Sequence, residues 1–154
     1  GHLSLLSDLR SAIQNNELQM WLQPKIHLHD LHCYGFEALV RWQHPQRGFI
    51  SPIEFIPFAE EIGLIVPIGR WVLAKACEQA QLWRQTYKTD FKISVNISPR
   101  QFQDPKLPEF ILEVLLESGL PAHALQLEIT EGLLIKALAT ATRCCSPPDN
   151  SDGK

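Results

Sequence analysis

Long apolar runs are missing from this chain: none approaches the roughly 18 to 20 residues that a helix needs to cross a bilayer, and no basic-then-apolar signal pattern stands at the start. A helical membrane span is thereby excluded, and a cytoplasmic protein is the expectation. Positive charge is not in excess either. Lys and Arg number 14 against 17 Asp and Glu, for a formal net charge of -3 and an isoelectric point near 6.1. That balance argues against a general nucleic-acid binder, which needs a basic surface, while leaving room for a local basic spot. Cysteine is sparse and unpatterned, with Cys33, Cys77, Cys144 and Cys145 in no CxxC spacing, so reduced thiols are expected rather than a disulfide framework. His27, His29, His32 and Cys33 are crowded, but Asp30 among them marks a polar turn. A closed zinc site would need converging ligands from a second cluster, which so short a turn does not offer.

What the chain does have is the composition of an ordinary single domain: 154 residues, 45% hydrophobic and 20% charged, enough to bury a core. Apolar residues at near-helical spacing predict a helix over 3–15, with Asn15-Asn16 as the stop. A strand over 20–26 follows, its internal Pro24 keeping it near an edge, and a second strand covers 33–42. The turn between them is too short for a crossover, so the two pair antiparallel. Ser51 as N-cap, Pro52 at the first helical position and Glu54 in the first turn start a short helix. A longer helix runs from Pro67 to about Thr86. Strands over 91–97 and 125–130 flank a helix over 107–118 that opens with Pro108 and stops at Gly119. Strands alternating with crossover helices build a parallel sheet, with ligand groups gathered at the strand C-termini. From Lys136 on the pattern changes. Residues 137–142 extend a helix at most, and 143–154 carry no core pattern, as in an altered reading frame.

The stretch Tyr34-Gly35-Phe36-Glu37-Ala38-Leu39-Val40-Arg41-Trp42 sets a carboxylate and a guanidinium inside an apolar, β-favouring run. Such a run predicts a strand covered on both sides, with Glu37 and Arg41 on one face by the period of two. A buried carboxylate costs several kcal/mol unless compensated, so Glu37 either pairs with Arg41 along the strand or binds a cation.

Glu37-Ala38-Leu39 followed by Val40-Arg41-Trp42 resembles the signature of the EAL domain family, the bacterial cyclic di-GMP phosphodiesterases. Further matches come in order: Leu22-Gln23-Pro24, Ser51-Pro52-Ile53-Glu54-Phe55-Ile56-Pro57 with Ala59-Glu60, Asn96-Ile97-Ser98, and Glu128-Ile129-Thr130-Glu131. The resemblance runs from about Leu18 to Ile135. It implies an α/β fold, a partial TIM-like (β/α) barrel of the EAL type. About four strands are expected, the first antiparallel, with crossover helices, in a domain over 3–135 followed by a tail over 136–154. It implies magnesium or manganese as cofactor, the metals activating a water for in-line attack on one phosphodiester to give linear pGpG. Residue by residue, Glu37, Asn96 and Glu128 match metal ligands, Glu60 a carboxylate near the metals, and Gln23 and Arg41 substrate contacts. A planar guanidinium suits a phosphate clamp.

Nothing in the chain resembles the family's later Asp-Asp-Phe-Gly stretch, its catalytic Lys, or its late Glu and Gln. A barrel of this class takes about 250 residues, so the chain supplies roughly half. The expectation is a truncated EAL domain, inactive alone. Alternatives are a cyclic di-GMP- or metal-binding or self-associating module, a phosphodiesterase completed by a partner chain, and an unrelated α/β protein. Half a barrel exposes strand edges and apolar surface, including the stripe near Trp71 and Trp83, which predicts a homodimer.

Overall fold

A computed structural model describes residues 2–129. Helix α1 (His2–Ala12) leads into strands β1 (Leu18–Ile26), β2 (Cys33–His44) and β3 (Gly48–Ile50). Helices α2 (Pro52–Ile62) and α3 (Ile65–Tyr87) follow, then β4 (Lys92–Ile97), a single turn α4 (Pro99–Phe102), α5 (Leu107–Ser118) and β5 (Leu125–Ile129). The tail over 136–154 lies outside the described residues.

One sheet runs in the order β1-β2-β4-β5, with β3 pairing off the C-terminal end of β2. As the short turn requires, β1 and β2 are antiparallel, and Pro24 lies on the outermost strand of that order. Both β2–β4 and β4–β5 are parallel, joined by crossovers through α2–α3 and α4–α5. The strands predicted from the pattern are all present, and β3 adds a three-residue strand that the pattern does not predict. Three residues are too few to show a period, so their strand state rests on pairing with Trp42, Gln43 and His44 of β2.

The register sorts side chains onto two faces. On one, Ala38, Ile93, Val95 and Ile97 are buried with Ile68, Val72, Leu73, Ala76 and Cys77 of α3. Trp83 meets Phe36 edge-on at 4.8 Å, and Trp71 packs against the same core. The α3 stripe therefore finds its partners within this chain. On the other face the register aligns Gln23 with Glu37, Glu37 with Ser94, Ser94 with Gln126, and Asn96 with Glu128. That face is polar, and Gln23 and Asn96 are exposed on it. The expectation that β2 is covered on both sides is thus corrected: Glu37, Leu39 and Arg41 are only half-buried.

Gly35 is required where β2 meets β4, because a Cβ there would fall 2.4 Å from the Lys92 carbonyl oxygen. Helix α1 is fastened through His44, which is 4% exposed. Its Nδ1 accepts from the Gln46 and Arg47 backbone N–H groups at 3.0 Å each. That arrangement leaves Nε2 to donate to Asp8 Oδ2 at 2.8 Å. No helix among the described residues is long and apolar enough to cross a membrane.

Candidate functional site

Glu37 is the fifth residue of a 12-residue strand, not its last. It nonetheless stands at the end of a ladder. Strand β2 pairs in parallel with β4 only over Gly35–Ala38, then departs to pair with β3 over Trp42–His44. Glu37 therefore faces the same mouth as Asn96 and Glu128 near the ends of β4 and β5. Asn96 Nδ2 donates to Glu37 Oε1 at 3.0 Å, and Glu128 is the direct register partner of Asn96. The structure brings the three expected ligand residues together on neighbouring strands.

The ion pair between Glu37 and Arg41 does not form. Four residues of strand separate their Cα atoms by about 13 Å, which their side chains can hardly span along one face. Arg41 instead donates from its guanidinium to the Val40 carbonyl at 2.9 Å and lies over the Trp21 ring, 5.3 Å from its centroid. Trp21 in turn meets Phe49 edge-on at 5.6 Å. These contacts hold the guanidinium at the mouth.

Glu60, in the last turn of α2, lines with Arg41 and Asn96 a cleft of about 250 Å³ between the sheet and α2–α3. Its position is set locally. Ser51 caps the helix by accepting from Ile53 N at 3.3 Å, and Gly63 ends it with φ of 84°, its N–H directed to the Glu60 carbonyl. Gln23 is exposed directly across from Glu37. All six residues expected from the sequence thus lie around one end of the sheet.

Lys25, Ser94, Gln126 and Gln101 were missed. Lys25 Nζ donates to Glu128 Oε1 and, at 3.0 Å, to Ser94 Oγ, whose hydroxyl donates to Gln126 Oε1 at 3.3 Å. The hydrogen bond to Glu128 raises the Lys25 pKa above its ordinary value, with the Glu128 and Glu37 charges adding to it against the effect of burial. Lys25 shares a face with Gln23 by the period of two, which was the available signal. Gln101 closes a capping box with Ser98, accepting from Ser98 N at 3.0 Å while Ser98 Oγ accepts from Gln101 N at 3.3 Å. The Ser-x-x-Gln spacing was visible in the sequence.

At the crowded turn, Asp30 Oδ1 accepts from His32 N at 2.9 Å and His27 stacks on Tyr34 at 4.3 Å. The polar turn expected there is present. At the mouth, two carboxylates and an amide offer hard oxygen donors, the class that suits magnesium or manganese.

A profile of the EAL domain family matches residues 6–147. The chain belongs to the EAL domain family. It is 42% identical over 134 residues to the bifunctional diguanylate cyclase/cyclic di-GMP phosphodiesterase MucR of Pseudomonas aeruginosa, covering 87% of this chain and 20% of the relative. To the cyclic di-GMP phosphodiesterase PdeR of Escherichia coli it is 41% identical over 135 residues, covering 88% of this chain and 20% of PdeR. A solved structure of the PaMucR phosphodiesterase in a cyclic di-GMP complex superposes with a TM-score of 0.86 at 40% identity, over 91% of this chain and 57% of that one. This EAL chain therefore spans about a fifth of those curated relatives. Its partial sheet with an antiparallel first pair is the architecture of the EAL barrels.

Proposed function

We propose that this EAL chain holds the first half of a cyclic di-GMP phosphodiesterase site: it binds the dinucleotide with magnesium or manganese and, by itself, does not hydrolyse it. Glu37, Asn96 and Glu128 hold the cation, Glu60 stands beside it, Arg41 clamps a phosphate and Gln23 contacts the ligand. The Asn96–Glu37 hydrogen bond, with Glu128 the register partner of Asn96, carries this proposal. When bound, the metal supplies Lewis-acid polarisation of a phosphate oxygen and a water of lowered pKa. The residues of this chain contribute the rest. Arg41 is already aimed by Val40 and Trp21, so less side-chain freedom is lost when it meets a phosphate. Inactivity is proposed of these residues alone, since nothing in them resembles the family's later Asp-Asp-Phe-Gly stretch. A cytoplasmic location belongs to this reading, because free thiols such as Cys33 and Cys77 persist in a reducing compartment.

Calorimetry with cyclic di-GMP in manganese tests binding, and chromatography for pGpG tests turnover. Binding weakened by Arg41→Ala, with no turnover above a Glu37→Ala control, is the expected result. Turnover abolished by Glu37→Ala would overturn the claim of inactivity, and no binding under any condition would overturn the ligand.

A further inference from the structure

Lys25 stands on β1 and Glu128 on β5, at the two ends of the sheet order. Three gaps of about 4.8 Å would separate such strands by about 14 Å on a flat sheet. Their contact therefore requires the sheet to curl toward the polar face and the path across it to be clear. Small residues clear it. Lys25 is registered opposite Gly35, which lacks a side chain and cannot take one beside the Lys92 carbonyl. Diagonally across β4, two residues along from the Lys92 that pairs with Gly35, lies Ser94, 1% exposed, which accepts a hydrogen bond from Lys25 Nζ at 3.0 Å. The lysine crosses over these two positions and places its ammonium on Glu128 Oε1.

We infer that Lys25 is the built-in counter-ion of the metal-free site and that a divalent metal binds only by displacing its ammonium from Glu128. This rests on Glu37, Asn96 and Glu128 being the ligands, as proposed above. A metal at roughly 2.0 to 2.6 Å from a Glu128 oxygen is repelled by an ammonium hydrogen-bonded to the same oxygen. The lysine has a way out. Its stem is flexible, its side chain is 24% exposed, and an ammonium is well hydrated once it leaves. Lys25 thus sets the metal affinity of the site, neutralising Glu128 when metal is scarce and yielding it when metal is abundant.

Manganese titration of the full chain, with free metal read by electron paramagnetic resonance, tests this without any activity measurement. Lys25→Met is expected to bind manganese at least about tenfold more tightly than the parent chain, because a like charge has been removed. Lys25→Gln should move the same way, since it keeps a hydrogen-bond donor without the charge, and it covers the case in which the methionine variant fails to fold. Glu128→Gln should abolish the binding. Manganese should also raise the melting temperature of the lysine variants more than that of the parent. Unchanged or weaker affinity in a folded lysine variant, while the parent binds metal and Glu128→Gln does not, overturns the role of Lys25 and leaves the ligand assignment standing. Manganese bound by neither the parent nor the lysine variants overturns both.

Discussion

Replacing Gly69 by alanine should destabilise this protein, although glycine in a helix interior normally costs stability. Within α3 the exchange gains about 1 kcal/mol of helix propensity. Against that, the new Cβ would fall 1.7 Å from Gln101 Nε2 and 2.5 Å from Gln101 Cδ. A side-chain end can often swing aside cheaply, but this one is not free. Gln101 is 4% exposed, and its Oε1 accepts from Ser98 N at 3.0 Å within the capping box of α4. Moving the amide leaves the Ser98 N–H without its partner, at about 1–3 kcal/mol, and overpacking if the amide stays costs a similar amount. With a cost near the middle of that range, about 2 kcal/mol, the net expectation is a loss of about 1 kcal/mol, read as a lower urea midpoint at an unchanged slope. Because Ser98 follows Asn96 by two residues, the same variant should weaken ligand binding. A double-mutant cycle isolates the cause. In a Gln101→Ala background the obstacle is gone, and Gly69→Ala should become neutral or stabilising by up to about 1 kcal/mol. A Gly69→Ala variant as stable as the parent, or the same loss in both backgrounds, would refute the reasoning.

Burial pushes the Cys77 thiol up to about 11, so at pH 8 only about one in a thousand is thiolate; Cys77→Ser should leave the number of fast-reacting thiols in native Ellman titration unchanged. The Asp104 carboxyl is held below its ordinary value of 3.8, first by the Lys106 backbone N–H and then by the Arg70 guanidinium. A carboxylate depressed in the folded state stabilises above the unfolded value and loses that contribution as pH falls through the folded one. Asp104→Asn should accordingly flatten the decline of urea stability below about pH 4. Among the described residues β5 pairs on one side only, and Leu127 and Ile129 are 38% and 39% exposed. Sedimentation should therefore report a dimer, and a stable dilute monomer would contradict the homodimer expectation.

Local chemistry made much of the fold legible. Helix α5 begins and ends at the residues the pattern predicts, with Pro108 in its first turn and Gly119 at φ of 77° closing it onto the Leu115 carbonyl. The same holds for the Ser51 cap of α2. Boundaries slipped where a signal tolerates more than one placement. A proline is accepted anywhere in a helix's first turn, so α3 begins at Ile65 rather than at Pro67. Helix α1 ends at Ala12, with Asn16 at φ of 57° completing its exit, earlier than the two asparagines suggested. Helix α4 was not foreseen at all, because one turn shows no periodicity.

The sequence by itself determined the family, the order of elements and the face on which each candidate residue lies, since these follow from motif identity and from periods of two and 3.6. Tertiary structure decided distances between faces and strands. Glu37 and Arg41 share a face by period, yet the rise of the strand keeps them from pairing and leaves Glu37 to Asn96. Glu37 sits at the end of a ladder only because β2 exchanges β4 for β3 midway along its length. Lys25 reaches Glu128 only because the sheet curls over Gly35 and Ser94. Curl and register arise from the packing of α3 and its neighbours against the opposite face, a collective property of many residues that no single stretch of the chain carries.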